Sequence, residues 1–257
     1  MKKPQPKLVQ VIKTEQITAN LQRIILKGDE LADFPDHCDG GYFKLLFNTE
    51  GGTDLTVLND DQRPIMRTYT IRQFNRLERT IEVDFVRHSV TDLGCGFAAR
   101  WALNTKVGET ISIKGPGLIN DINIQVDWFF MAADMTSLPA LTAKIKALPD
   151  NAKGYAVIKV IDNNDIQSIE FPENIKVTWL TEEQSLIGEV RSLTWLSGDV
   201  SVWAACEFDS MKALRSYFRN EKQVVKENIY LSSYWKKGTT EDGHKVIKRQ
   251  DAIEMQD

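Results

Sequence analysis

Arg67-Thr68-Tyr69-Thr70 is the stretch of this chain best equipped for chemistry. It lies in Arg63-Pro64-Ile65-Met66-Arg67-Thr68-Tyr69-Thr70-Ile71-Arg72, where a turn-forming Arg-Pro leads into an alternating strand. Arg67, Tyr69 and Ile71 share one face, and Thr68, Thr70 and Arg72 the other. A guanidinium fixed on a strand donates two parallel hydrogen bonds to a phosphate. A neighbouring phenol ring lies against planar heterocycles and still donates through its hydroxyl. A second stretch, Gly94-Cys95-Gly96-Phe97-Ala98-Ala99-Arg100-Trp101-Ala102, sets a glycine-bearing loop before a short helix. Open N–H groups and the dipole at such a start favour an anion, and glycine lets a phosphate approach the backbone.

The elements that must position these residues change character along the chain. Residues 7 to about 120 read as short antiparallel strands: 8–12, 21–26, 42–47, 67–73, 80–86 and 110–114, punctuated by Gly40-Gly41, Glu50-Gly51-Gly52, Asn59-Asp60-Asp61 and Gly115-Pro116-Gly117. Six strands with one intervening helix predict a small closed barrel. From Val126 strands and helices alternate. The continuous apolar run Trp128 to Ala133 predicts a strand buried on both faces. Thr136 to Leu148 carries a helical stripe of Leu138, Leu141, Ile145 and Leu148, and Met211, Leu214, Tyr217 and Phe218 form another. Further strands are expected at 155–161, 176–180, 200–205 and 229–234, with a polar helix over Glu241 to Glu254. Such alternation predicts a parallel sheet, whose ligands gather beyond the strands' carboxyl ends. Two segments sit there: Ala132-Ala133-Asp134-Met135-Thr136-Ser137-Leu138-Pro139-Ala140 and Trp203-Ala204-Ala205-Cys206-Glu207.

Composition narrows the classes. With 257 residues, 42% hydrophobic and 26% charged, the chain has the make-up of a globular protein of one large or two ordinary domains. A formal charge of −4 argues against nucleic acid as partner. No apolar run follows the charged N-terminus and none is long enough to span a bilayer, so a cytoplasmic location without membrane insertion is expected. Cys38, Cys95 and Cys206 are too scattered for a disulfide framework or a cysteine-held cluster, and no metal-ligand set is evident.

Arg67-Thr68-Tyr69-Thr70 resembles the flavin-binding Arg-x-Tyr-Ser/Thr signature of the ferredoxin-reductase superfamily. The longer Arg-Pro-x-Met-Arg-Thr-Tyr-Thr-x-Arg form resembles the siderophore-interacting proteins, which are FAD-dependent ferric-siderophore reductases. The resemblance implies an N-terminal antiparallel Greek-key flavin-binding barrel with one helix over residues 1–123. It implies a C-terminal parallel-sheet domain of nucleotide-binding type, the siderophore-interacting domain, over 124–257. Cofactor-binding positions that match are Arg67, Thr68, Tyr69 and Thr70; Asp84, Phe85, Val86 and His88; Gly94, Gly96, Ala98, Ala99 and Trp101; and Tyr234 and Trp235 in Tyr234-Trp235-Lys236-Lys237-Gly238. Thr136 and Glu207 fall near the implied junction of nicotinamide and flavin. Lys44, Arg100 and Arg215, then Lys237 and Lys245, fall where basic residues would take the substrate. The chain departs from the family at Cys95-Gly96-Phe97 and at Cys206, which replaces glycine.

The activity so implied is reduction of a ferric siderophore, with electrons passing from NADH or NADPH, or from a ferredoxin, through FAD. A flavin is needed because it releases electrons singly to Fe(III). Asp162, Asn163 and Asp165 offer little for a 2′-phosphate, which favours NADH. Two alternatives stay open: a general flavin or ferredoxin-type reductase of the same superfamily, and a non-catalytic siderophore-binding protein.

Overall fold

A computed structural model of the chain describes residues 5–87, 96–119 and 122–254. The chain divides into two compact units, Met1–Asn120 and Asp121–Asp257.

The first unit is a closed barrel of seven strands: β1 (Lys7–Thr18), β2 (Leu21–Lys27), β3 (Tyr42–Phe47), β4 (Ile65–Thr70), β5 (Gln73–Asn75), β6 (Thr80–Val86) and β7 (Thr110–Gly117), with helix α1 (Phe97–Asn104) between β6 and β7. The order is β4-β3-β7-β1-β2-β6-β5, and every pair is antiparallel. The strands at the two ends of that order, β4 and β5, are separated in sequence only by Ile71 and Arg72. Ile71 N–H bonds to the Gly41 carbonyl on one side, and Arg72 N–H to the Glu82 carbonyl on the other. One bent segment therefore serves both edges, which removes the edges altogether. The expected single strand over 67–73 is thus two strands, broken where the chain changes partner. Alternation along β6 sends Ile81, Val83 and Phe85 into the core beside Phe43, Leu45 and Phe47 of β3.

The second unit is a five-stranded parallel sheet of β8 (Trp128–Asp134), β9 (Lys153–Lys159), β10 (Asn174–Leu180), β11 (Val200–Glu207) and β12 (Ile229–Trp235), in the order β10-β9-β8-β11-β12. Helices α2 (Leu138–Lys146), α3 (Leu186–Ser192), α4 (Phe208–Arg215) and α5 (Glu241–Glu254) complete it. All seven residues of β8 are buried. Trp128, Phe130 and Ala132 enter one apolar cluster, and Phe129, Met131 and Ala133 enter the other, so each face of the sheet has its own core. The helix expected over 136–148 is shorter because Thr136 and Ser137 belong to a turn closed by Ser137 N–H on the Asp134 carbonyl. The stripe from Met211 to Phe218 runs out of α4 into a π turn over Ser216–Glu221. Helix α3, absent from the sequence reading, starts at Ser185, whose hydroxyl accepts the Gly188 N–H at 3.1 Å. Strand order reverses between β8 and β11, which makes their carboxyl ends the switch point of the sheet.

Candidate functional site

Each unit carries one concentration of chemical groups. In the barrel it forms where β4 meets α1. Register sets Leu45 opposite Arg67, Lys44 opposite Thr68, Phe43 opposite Tyr69 and Tyr42 opposite Thr70. Arg67 is 9% exposed and donates to the Met66 carbonyl at 2.9 Å. Its guanidinium carbon stands 5.8 Å from the Phe97 ring centre, and that of Arg100 stands 5.1 Å from the same ring. Both cations thus flank the first residue of α1. The first intrahelical bond of α1 is Arg100 N–H to the Gly96 carbonyl, which leaves the N–H groups of Phe97, Ala98 and Ala99 without an acceptor among the described residues. Gly96 takes a left-handed φ of 65°, caps nothing with a side chain, and no acid stands in the first turn. Open N–H donors, the helix dipole and two guanidiniums converge here, and a diphosphate fits that combination.

The rings behind this cradle form a chain of tilted and edge-on contacts. Tyr69 lies 4.3 Å from Phe85, and Phe85 lies 5.7 Å edge-on from Trp101. The Trp101 indole nitrogen is buried and has no acceptor among the described residues, a second sign that a polar ligand atom completes the site. FAD, with its diphosphate and its flat tricyclic ring, suits both features. Thr68 is exposed, Thr70 buried and Val86 half-buried at the end of β6. Phe85 is a core residue, 1% exposed. Asp84 is spent elsewhere: Arg23 holds its carboxylate at 2.7 and 3.0 Å and Arg72 approaches to 3.5 Å on the barrel's outer face. His88 and Gly94 lie outside the described residues.

In the second unit the groups gather at the switch point. Asp134 ends β8 and is 9% exposed. One of its oxygens accepts from the Thr136 N–H at 2.9 Å and the Thr136 hydroxyl at 2.5 Å. The other accepts from the Glu207 N–H and the Trp235 indole N–H, both at 2.8 Å. Burial pushes this carboxyl up from its ordinary value, opposed by those four donors. Glu207 caps α4 through the N–H groups of Asp209 and Ser210, at 2.7 and 3.1 Å. Tyr234 packs partly buried on the apolar cluster of one sheet face. Burial also raises the Cys206 thiol well above its ordinary value, consistent with its apolar surroundings and not with a reactive thiolate.

The five basic candidates divide by partner. Lys44 is half-buried on β3, with Thr68 opposite on one side and Lys114 of β7 on the other. Neither Lys44 nor Lys114 has a carboxylate in ion-pairing reach among the described residues. Arg100 stands at the helix start described above. Arg215, in contrast, is held two-pronged by Asp251, both contacts at 2.7 Å, so an arriving anion meets an occupied guanidinium. Lys245 pairs with Glu241 at 3.0 Å and Asp242 at 3.3 Å along its own helix. Lys237 is exposed and gives its backbone N–H to Glu207 at 3.3 Å. Sequence reasoning placed Asp134 in a segment beyond the strands' carboxyl ends without giving it a role, and missed Lys114. A carboxylate closing a wholly apolar strand was the available signal for the first; no local pattern marks the second, whose neighbour is set by sheet register.

An antiparallel barrel with an anion cradle at helix α1, followed by a doubly wound parallel sheet, is the two-unit architecture of FAD- and NAD-binding proteins. Comparison with known proteins narrows that class. The siderophore-interacting protein family matches residues 126–238, and the siderophore-interacting FAD-binding domain matches residues 10–119. The chain is 29% identical to the ferric vibriobactin reductase ViuB of Vibrio cholerae over 93% of this chain and 92% of that protein. It is 30% identical to an uncharacterised protein of Mycobacterium bovis, covering 94% of each. The crystal structure of the siderophore-interacting protein SipS from Aeromonas hydrophila superposes with a TM-score of 0.84 at 28% identity, over 97% of this chain and 98% of that one. The chain belongs to the siderophore-interacting protein family.

Proposed function

We propose that this protein reduces ferric siderophores with electrons drawn from NAD(P)H through FAD, releasing iron as Fe(II). The observation that carries the reading is the anion cradle of the barrel: three N–H groups at the start of α1 without an acceptor among the described residues, with Arg67 and Arg100 against Phe97. Bound there, FAD supplies the conversion of a two-electron hydride into single-electron transfers, which a nicotinamide does not readily make alone. The residues of the chain bind and orient. Arg67 and the N–H groups of Phe97, Ala98 and Ala99 hold the diphosphate, and Tyr69, backed by Phe85, offers a flat surface to the ring system. The carboxyl ends of β8 and β11 receive the reduced nicotinamide nucleotide, where Thr136 and Glu207 stand.

The substrate is a chelate of a hard cation by anionic oxygens. Reduction lowers the metal charge and weakens those bonds, so the iron leaves without a protein nucleophile or acid. Lys44, with Lys114 opposite it, and Arg100 give an anionic chelate its counter-charges on the barrel. No helix among the described residues is long and apolar enough to cross a membrane. We place the reaction in the cytoplasm, with a reduced nucleotide in preference to ferredoxin as donor. The test is an anaerobic assay of the purified protein with NADH or NADPH and a set of ferric siderophores, trapping Fe(II) with a chromogenic chelator. Flavin absorbance with Fe(II) release at a rate above the protein-free control is expected. Rapid reduction of free flavin without any ferric-siderophore turnover would refute the reading.

A further inference from the structure

The buried carboxylate of Asp134 joins three segments far apart in the chain: the turn leading into α2, the end of β11 and the end of β12. Its bond to Trp235 depends on an irregularity in the sheet. Along β11 and β12, Cys206 faces Ser233, but Glu207 faces Trp235, so Tyr234 is passed over. An extra residue of this kind re-aims the side chains that follow it, because the side-chain period of a strand is two. Here it turns the Trp235 indole N–H onto Asp134 and leaves the ring 39% exposed at the switch point. The backbone on either side is held as well: Asp134 takes the N–H of Glu207, and Glu207 takes the N–H of Lys237. A large aromatic ring is therefore tied in place while still partly exposed, where a doubly wound sheet places its nucleotide.

We infer that Asp134 is a positioning residue for the hydride donor, locking the Trp235 ring so that its exposed part takes the nicotinamide end of NAD(P)H. The inference rests on the functional reading above and adds to it the residue that sets the nicotinamide's seat. Asp134 touches neither substrate nor cofactor; it acts through Trp235 and Glu207. Its two oxygens serve two pairs of donors, and that division makes the test sharp. In Asp134→Asn an amide offers one oxygen where there were two, so its NH2 must face either the Thr136 pair or the Glu207 and Trp235 pair. Trp235→Phe keeps a flat ring and removes only the indole donor.

The experiment combines a structural and a kinetic readout on the FAD-loaded full chain. The indole 1H–15N resonance of Trp235, identified by its absence in Trp235→Phe, is expected to shift in Asp134→Asn. Both variants are expected to keep the FAD content of the parent protein. KM for NADH or NADPH should rise about tenfold, the size of one lost hydrogen bond to a charged group, with kcat changed less than about twofold. Inhibition by ADP-ribose, which lacks the nicotinamide, should be unchanged, and the double variant should be no worse than either single one. A merely structural role would weaken ADP-ribose and the donor alike. An unmoved indole resonance, an unchanged KM in both variants, or additive effects in the double variant would overturn the inference. If Asp134→Asn does not fold, Trp235→Phe alone decides through the contrast between KM and ADP-ribose inhibition. A parent protein that oxidises neither nucleotide in the presence of ferric siderophores would sink the functional reading, and the indole resonance would still decide the Asp134–Trp235 contact.

Discussion

At the scale of single residues, charge at the barrel decides cofactor retention. Arg67 is nearly buried beside the start of α1, where the proposed reading seats the diphosphate. Removing a charged hydrogen-bond donor from a desolvated site costs about 1.5–3 kcal/mol, which is roughly 10- to 100-fold in affinity. Arg67→Ala is therefore expected to leave purification largely colourless, with FAD recovered only at high added concentration. Full flavin content in the purified variant would remove Arg67 from the diphosphate. The place of Arg67 on an alternating strand two positions from a tyrosine was legible in the sequence because that pattern is local. Asp84 was not, although it lies in an equally suggestive stretch. Its partner Arg23 is 61 residues away and is brought to it by the pairing of β2 with β6, which no motif encodes.

At the scale of elements, two contacts carry predictions of opposite sign. Lys44 and Lys114 stand directly across β3 and β7 without an ion-paired carboxylate among the described residues, and like charges so placed destabilise a sheet. Lys114→Thr is expected to raise stability by roughly 0.2–1 kcal/mol in denaturant unfolding while raising KM for an anionic ferric siderophore. Lower stability in that variant would show that the two ammoniums are accommodated in another way. Helix α5 docks on β12 through His244, which is 3% exposed and hydrogen-bonded to Ser233 at 2.9 Å. Burial first, then the nearby Lys248 ammonium, hold its imidazole below the ordinary histidine value, against the pull of Glu241 and Glu207. On acidification the unfolded chain takes up that proton before the folded one. The contribution of His244 is thus complete above about pH 6.5, the ordinary histidine value, and is lost as pH falls from there toward the lower folded value. Thermal unfolding should show a steeper fall in Tm between neutral pH and pH 5 for the parent than for His244→Gln; parallel curves would exclude this histidine. The helix itself was readable from its polar composition, and its boundaries agree. Its anchor was not, since a lone histidine in a sequence carries no sign of what it will face.

At the scale of the whole molecule, a chain of net charge −4 must attract a substrate that is itself anionic. Composition alone argues against such a partner, and the fold resolves the conflict locally, by setting Lys44 beside Lys114 across β3 and β7 while Arg215 and Lys245 are neutralised by Asp251, Glu241 and Asp242. The attraction is therefore local and opposed by the field of the rest of the surface. Attraction of this kind weakens as salt shortens the screening length, from about 30 Å at 0.01 M to about 8 Å at physiological ionic strength. Three catecholates on Fe(III) leave a trianion, whereas three hydroxamates leave a neutral complex. KM for a ferric tris-catecholate is expected to rise severalfold across that range of salt, chiefly through slower encounter, while KM for a neutral ferric trihydroxamate stays level. Neutralising Lys44 and Lys114 together should flatten the first dependence and leave flavin content and the second dependence unchanged. A salt response that is the same for both complexes, or one that survives the double substitution, would show that the barrel cations do not capture the chelate and that charge elsewhere on the surface governs its approach.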